Sequence, residues 1–419
     1  MKKKLLMLVL FIVISFGFTA LEYYPINGYE LTGIRRLAYL ESVKNEEVKG
    51  AKLPAGAYLP LDSIKLNLIG EKGKVLDSFP KADPDLQKAV NNLFSGLNES
   101  YSVTILDITE GKPIRYAQRR EKYGYQPGSV GKIIVATAFF NELCELYPTD
   151  FEKRRELLKK KMITAGSWAL YDEHTVPFYD PETKKLLKRT VKATDVFSLY
   201  EWLDHMLSVS NNGAASVVWR EAVLVHVFKE KYADLTFEEA EEYFKNTDKK
   251  ELTDLAMKLV NEPIRGLGIS EDEWRLGNFF TSGADRQIPG KGGSIGSPLG
   301  LMKFMIALER GNVIDENTSL EIKRLMYMTD RRIRYASSPA LADAAVYFKS
   351  GSLYKCEKEE GYNCGKYMGN VFNYMNSVAI VEHPDGTNYM VCLMSNIKKR
   401  NSAGEHLALA SRIDKLIRG

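Results

Sequence analysis

The stretch Pro127-Gly-Ser-Val-Gly-Lys-Ile-Ile-Val-Ala-Thr-Ala-Phe-Phe140 decides how this 419-residue chain is interpreted. Its Pro-Gly pair is typical of a turn, and the apolar run that begins at Ile133 predicts a buried helix directly after it. Side chains three residues apart share one face of a helix, so Lys132 is expected beside the hydroxyl of Ser129. Burial by so apolar a helix lowers the pKa of an amine and lets it act as a base, which makes Ser129 a candidate nucleophile.

Context selects this site, because the pattern S-x-x-K also occurs at Ser78–Lys81, Ser352–Lys355 and Ser395–Lys398. The first of these contains a proline, which disfavours a helix, and the other two lie in or after expected strands. Two rarer motifs follow Ser129 along the chain, namely Ser210-Asn-Asn212 and Lys349-Ser-Gly351. A hydroxyl with its own amine base, followed by these two motifs, indicates an acyl-transfer site.

The three motifs resemble the signature of the serine β-lactamase and penicillin-binding-protein (DD-peptidase) superfamily, which is S-x-x-K, S-x-N and K-[ST]-G in that order. Residues 206–216 also resemble the loop that carries the superfamily's second motif, and residues 297–308 resemble the helix that returns the chain toward the sheet, particularly in class A β-lactamases. The resemblance covers residues 96–419. It implies an α/β (α+β) fold of the β-lactamase/transpeptidase type. The expected architecture is an antiparallel sheet flanked by helices, with an inserted all-helical subdomain at about residues 126–296.

The resemblance also implies a role for each motif residue. Ser129 is expected to attack an amide carbonyl, with Lys132 as its base and Ser210 relaying a proton to the leaving nitrogen. The backbone N–H groups of Ser129 and Ser352 are expected to form the oxyanion hole. Four residues are expected to bind the substrate, a β-lactam or a peptidoglycan stem peptide, through its amide or its carboxylate: Asn212, Lys349, Ser350 and Gly351.

The fate of the acyl-enzyme separates three functions that the sequence leaves open. Class A β-lactamases activate the deacylating water with a glutamate placed shortly before the helix that here begins near Ser297. The corresponding stretch, residues 278–285, contains none, and Glu262 or Glu273 could replace it only if that loop has grown. A class A-like β-lactamase is the first expectation. The alternatives are a D-Ala-D-Ala carboxypeptidase or transpeptidase, and a β-lactam or muropeptide sensor without turnover.

The N-terminus has the pattern of an export signal. Lysines at positions 2–4 precede an uncharged apolar stretch, residues 5–21, so residues 1–20 are expected to be a signal peptide or an uncleaved inner-membrane anchor. The mature protein is therefore expected in the periplasm or elsewhere outside the cytoplasm. Residues 21–95 are expected to be an N-terminal extension that either packs on the catalytic domain or binds a partner.

Composition argues against other functions. The formal net charge is only +4, which gives no electrostatic case for nucleic-acid binding. The five histidines are scattered and no metal-ligand spacing is present, so neither a metal nor a cofactor is expected. Cys356 and Cys364 flank a polar loop and could form a disulfide in an exported protein. The dense polar trio Asp172-Glu-His174 is interpreted as a solvated surface segment.

Overall fold

The computed structural model of the protein describes residues 26–60 and 63–419. The largest sheet is antiparallel and has five strands, in the spatial order β2 (Arg115–Arg119), β1 (Ser102–Asp107), β11 (Asn388–Asn396), β10 (Phe372–Glu382) and β9 (Ala345–Lys355). Strand β9 is therefore an edge strand. Three two-stranded ribbons lie outside this sheet: β3 (Met162–Thr164) with β6 (Val196–Ser198), β4 (Val176–Asp180) with β5 (Lys185–Arg189), and β7 (Trp274–Arg275) with β8 (Ile295–Gly296).

Helices occupy both faces of the sheet and most of the insert between β2 and β9. Their bounds in chain order are α1 (Tyr29–Thr32), α2 (Arg35–Lys44), α3 (Glu71–Lys74), α4 (Pro84–Leu93), α5 (Lys132–Leu146), α6 (Phe151–Lys160), α7 (Leu199–Leu207), α8 (Asn212–Phe228), α9 (Phe237–Asn246), α10 (Lys249–Arg265), α11 (Ser282–Gln287), α12 (Pro298–Glu309), α13 (Glu316–Met326) and α14 (Ala403–Arg418).

Two hydrophobic clusters divide the core. One lies between the sheet and helices α4 and α14, and contains Val90, Val391 and Ile413. The other joins the opposite face of the sheet to the helical insert, with α5 at its centre, because the Ile133 and Phe139 side chains are completely buried. Burial of a large apolar side chain contributes roughly 1.5–3 kcal/mol, so α5 is a rigid base for the residues at its N-terminus.

The sheet and its flanking helices have the α/β architecture predicted from the sequence, but the prediction that the insert is entirely helical is wrong. Residues 162–198 contain the β3–β6 and β4–β5 ribbons. The β4–β5 ribbon forms because apolar Val176 and Phe178 precede a four-residue turn, in which Lys184 adopts φ +54°. The polar and charged residues around this segment make the strand pattern difficult to recognise in the sequence.

Helix α4 lies before the expected domain boundary at residue 96, yet it packs into the same core as the sheet. The Asp83 side chain caps it by accepting a hydrogen bond from Leu86 N at 2.8 Å, and Leu86 and Val90 are buried. The predicted signal or anchor, residues 1–20 with the apolar stretch 5–21, lies outside the described residues. Within residues 26–60 and 63–419, no helix has the length and apolarity needed to cross a membrane.

The described part of the N-terminal extension packs on the rest of the chain. Arg36 on α2 forms two ion pairs: its Nη2 lies 2.7 Å from Asp204 on α7, and its Nη1 lies 2.8 Å from Asp330, which follows α13. Farther along, Leu59 N donates to the Tyr327 hydroxyl at 3.0 Å. The extension therefore connects the insert to the segment that leads into β9.

We expect Arg36→Met to lower the free energy of unfolding by about 3–5 kcal/mol, because it leaves the buried Asp204 carboxylate without its ion pair. Denaturant titration measures this change. The matched control is Lys184→Met, which removes an ion pair between the extension and the insert in which both side chains are about half exposed. An equal effect of the two variants would contradict the prediction.

Candidate active site

Ser129 and Lys132 lie at the start of α5. Ser129 is in a single 3₁₀ turn, Gly128–Gly131, and Lys132 is the first residue of the helix that follows. The turn is possible because Gly128 adopts φ +53°, a conformation that favours glycine. The Lys132 Nζ lies 3.1 Å from the Ser129 Oγ, so the structure brings the predicted nucleophile and base into hydrogen-bond contact.

The Lys132 amine is completely buried, and three further oxygen atoms surround it. Its Nζ lies 2.6 Å from the Ser210 carbonyl, 2.7 Å from the Asn212 Oδ1 and 3.4 Å from the Ser210 Oγ. Burial lowers the pKa of Lys132 to about 7, with the charge of Asp172 acting in the opposite direction. A large fraction of this amine is therefore neutral near pH 7 and able to accept a proton.

Ser210 lies between the two lysines of the motifs. The Ser210 Oγ accepts a hydrogen bond from the Lys349 Nζ at 2.8 Å. Ser210 lies in the loop between α7 and α8, where it adopts φ +61°. Asn211 closes this loop by capping α8, since its side chain accepts from Ala214 N at 2.6 Å. The Ser210 hydroxyl is thus placed to pass a proton between a substrate and Lys132.

The third motif occupies edge strand β9, which packs against the nucleophile turn. A Cβ added to Gly351 would lie 2.1 Å from the Pro127 carbonyl oxygen, and one added to Gly128 would lie 2.9 Å from Ser352 N. These two close approaches hold the Ser352 N–H beside the Ser129 turn. Gly351, predicted to bind substrate, is thus required for the backbone packing that places Ser352 at the site.

Basic side chains predominate on the β9 side of the site. Burial holds the pKa of Lys349 well below its usual value, and the charges of Lys132, Arg334 and Arg331 lower it further. Arg334 donates to the Gly351 carbonyl at 3.1 Å and to the Ser352 Oγ at 3.0 Å, and no carboxylate in the described part of the chain pairs with it or with Lys349. A negatively charged ligand group placed here would stabilise the ammonium form of Lys349.

Ser129 opens into two adjoining cavities of about 540 Å³ and about 50 Å³. Asn212 lines the larger cavity, Lys349 and Ser350 line the smaller one, and Ser352 lines both. Within residues 26–60 and 63–419, no cluster of three or more histidine, cysteine, aspartate or glutamate side chains could hold a metal ion. The arrangement is suited to acyl transfer by side chains and backbone N–H groups.

The two glutamates considered as deacylation bases line neither cavity. Glu262 lies on α10, and the Glu273 carboxylate is held by Lys303 Nζ at 2.6 Å. Glu273 also contacts the first turn of α12, since a Cβ added to Gly300 would lie 2.9 Å from its own Cβ. Glu262 is therefore placed in a supporting helix and Glu273 in the turn before β7, and neither reaches the cavities that contain Ser129.

The polar trio Asp172-Glu-His174 was interpreted as a solvated surface segment. That interpretation is wrong for Asp172 and His174, which belong to the site. The Asp172 side chain is only 3% exposed and accepts hydrogen bonds from the Asn212 N at 2.6 Å and the His174 Nδ1 at 2.6 Å. His174 lines both cavities, and Glu173 lines the larger one. The density of the trio was the available signal, but its partner Asn212 is 40 residues away in sequence.

Cys356 and Cys364 form a disulfide in the connection between β9 and β10. The two cysteines are eight positions apart in the sequence. The loop that they close lies directly before Lys366 and Tyr367, which line the larger cavity. Arg334 lies over the Tyr367 ring, with 5.0 Å between the guanidinium carbon and the ring centroid. The disulfide therefore fixes one wall of the site.

Comparison with known proteins bears on the family and on the fold. A model of the "Beta-lactamase enzyme family" matches residues 85–417. Among solved structures, the fold is similar to that of a mutant of PBP-A in an acyl-enzyme complex with penicillin G, at 13% identity and a TM-score of 0.51, covering 81% of this chain and 98% of that one. It is also similar to a class A β-lactamase representative from Bacteroides cellulosilyticus, at 15% identity and a TM-score of 0.50, covering 81% and 98%.

A β-lactamase from Desulfarculus baarsii has a similar fold as well, at 15% identity and a TM-score of 0.50, covering 80% of this chain and 98% of that one. At such identities the likeness shows the fold alone, and it confirms the β-lactamase/transpeptidase-like fold predicted from the sequence. No protein among curated sequences matches the chain.

Proposed function

Because the chain belongs to the β-lactamase enzyme family, we propose that it is an exported serine hydrolase that opens β-lactam amides through an acyl-enzyme on Ser129. The contact between the Lys132 Nζ and the Ser129 Oγ, at 3.1 Å and with the amine buried, carries this proposal. Few structural roles explain a buried lysine that contacts two serines and an asparagine but no carboxylate, since burial of an unpaired ammonium is costly.

Acylation follows from the positions of the side chains. Neutral Lys132 takes the proton of Ser129, and the Ser129 Oγ attacks the carbonyl carbon. The N–H groups of Ser129 and Ser352 stabilise the resulting oxyanion. The protonated Lys132 returns this proton through the Ser210 hydroxyl to the leaving nitrogen, which completes cleavage of the amide and restores neutral Lys132. Lys349 and Ser350 bind the substrate carboxylate.

The second candidate function is that of a peptidoglycan D-Ala-D-Ala carboxypeptidase or transpeptidase. The observation that favours it is the position of Glu262 and Glu273, neither of which lines a cavity that contains Ser129. Both functions require the same acyl-enzyme on Ser129, and they differ in how fast water removes the acyl group.

One experiment tests the proposal and separates the two candidates. Benzylpenicillin is added to the protein, the intact mass is followed over time, and the absorbance of the β-lactam is recorded in parallel. A covalent adduct that maps to the peptide containing Ser129, and that clears while substrate continues to disappear, supports the β-lactamase. An adduct that persists supports the peptidase, and absence of any adduct with penicillin contradicts the proposed function.

We expect Gly351→Ala to slow acylation of Ser129 by about 10²–10³-fold, because the new Cβ pushes β9 away from Pro127 and removes the Ser352 N–H from the oxyanion. The rate of adduct formation measures the effect. Gly404→Ala is the matched control, since a Cβ at Gly404 meets nothing within 4 Å. Acylation of Gly351→Ala at the wild-type rate would show that this close approach does not position the N–H.

A further inference from the structure

His174 is the one imidazole that lines a cavity shared with Ser129 among the described residues, and it lines both. Its Nδ1 lies 2.6 Å from the Asp172 Oδ1, and its backbone N–H donates to the same oxygen at 3.2 Å. The Nε2 has no hydrogen-bond partner within residues 26–60 and 63–419. Because the Asp172 carboxylate can only accept, the proton of the neutral ring lies on Nδ1 and the lone pair lies on Nε2.

Asp172 is held as a carboxylate. Burial alone would raise its pKa, but hydrogen bonds from His174 and from Asn212 N hold the pKa below its usual value. It also lies at the N-terminus of α8, where backbone N–H groups favour a negative charge. An anion fixed in this way orients the imidazole and stabilises the imidazolium that forms when Nε2 accepts a proton.

Hydrolysis of the acyl-enzyme needs a base that activates a water molecule, and that base has to leave room for the water beside Ser129. Lys132 contacts the Ser129 Oγ directly, whereas no hydrogen bond joins His174 to Ser129, and the cavity that both residues line leaves room for water. Glu173 is the one carboxylate-bearing residue in the lining of either cavity, among the residues described. Glu173 is exposed and has no charged partner among residues 26–60 and 63–419, whereas the His174 ring contacts a buried anion.

We propose that His174 is the general base that hydrolyses the acyl-enzyme, and that Asp172 is its positioning residue; this inference rests on the proposed function. The His174 Nε2 takes a proton from a water molecule, and the water oxygen forms a bond to the acyl carbon. The bond between that carbon and the Ser129 Oγ then breaks, and the imidazolium returns the proton to Oγ through solvent in the cavity. The products are the carboxylic acid and free Ser129, so one water is consumed in each turnover.

The test measures acylation and deacylation separately in His174→Gln, by intact mass after a pulse of benzylpenicillin. General base catalysis contributes about 10²–10⁴-fold, so we expect deacylation to fall by at least about 10²-fold while acylation changes little. The adduct should therefore accumulate on the variant. Glu173→Gln is the matched control, because it removes the neighbouring carboxylate of the same segment, and it should acylate and deacylate like the wild type.

A second variant, His174→Ala, separates catalysis from structure. Added imidazole should restore part of its deacylation rate, which a purely structural role of the ring would not produce. Three results would overturn the inference: His174→Gln that deacylates at the wild-type rate, equal losses of acylation and deacylation, or loss of deacylation in Glu173→Gln instead.

The same measurements distinguish failure of this inference from failure of the proposed function. An adduct on Ser129 that forms but never clears from the wild-type protein would overturn the role of His174 and leave acylation intact. Absence of an adduct from the wild type and from both His174 variants would overturn the proposed function, and the role of His174 with it.

Discussion

Ser129→Ala is expected to abolish the covalent adduct and to reduce turnover of a β-lactam by on the order of 10⁴–10⁶-fold, because the variant lacks the hydroxyl that the Lys132 amine would activate. The protein should remain folded, since the Ser129 side chain is partly exposed and, in the described part of the chain, its hydroxyl is hydrogen-bonded to Lys132 alone. Intact mass and β-lactam absorbance measure the loss, and a denaturant titration checks the fold.

The chain offers a matched control for this variant. Ser352 begins a second S-x-x-K pattern, lines the same two cavities, and takes part in the site through its backbone N–H and a contact with Arg334. Ser352→Ala keeps that N–H, so the Ser129 adduct should still form. Persistence of the adduct in Ser129→Ala, or its transfer to Ser352, would place the nucleophile elsewhere.

The part of the site that could be predicted from the sequence depends on short-range geometry. Ser129 and Lys132 are three residues apart in one turn, and helix geometry alone brings their side chains together. The apolar run after Lys132 likewise predicts burial of the amine, and burial dominates the lowering of its pKa. These steps need no knowledge of the tertiary fold.

The rest of the site depends on contacts between distant segments. Ser210 meets Lys349 across 139 residues, and only the resemblance to a known family predicted that meeting. Asp172 and His174 lie in a segment that no motif covers, and their site role follows from a contact with the N-terminus of α8. A polar trio in sequence does not reveal whether such a helix end lies beside it, so solvation was the simpler interpretation.

Glu262 and Glu273 were candidates for the deacylation base only if the loop before α12 had grown, and neither lines the cavities that contain Ser129. Each is a carboxylate that precedes the expected stretch, residues 278–285, and α10 or the contact with α12 holds it in the supporting structure. A longer loop could have moved either one, and sequence patterns constrain loop paths poorly. A candidate deacylation base can therefore be recognised only from the side chains that line the cavity.

Lys132→Met is expected to reduce the acylation rate of Ser129 by on the order of 10⁴-fold, because methionine fills similar space without an amine that can accept the proton. The pH dependence of acylation in the wild-type protein tests the same role of Lys132. Only neutral Lys132 is a base, and its pKa is about 7, so the acylation rate should rise with pH and level off above about pH 7. Below that pH the rate should fall about tenfold per pH unit.

Lys366→Met is the matched control for the pH profile, since Lys366 lines the larger cavity but has no contact with Ser129 or Ser210. It should keep the rise near pH 7, whereas the residual acylation of Lys132→Met should lose it. A wild-type profile that is flat from pH 5 to 9, or a Lys132→Met profile that still rises near pH 7, would assign the base to another group. The midpoint near 7 is tied to Lys132 because burial lowers its pKa, and a lysine in water titrates about three pH units higher.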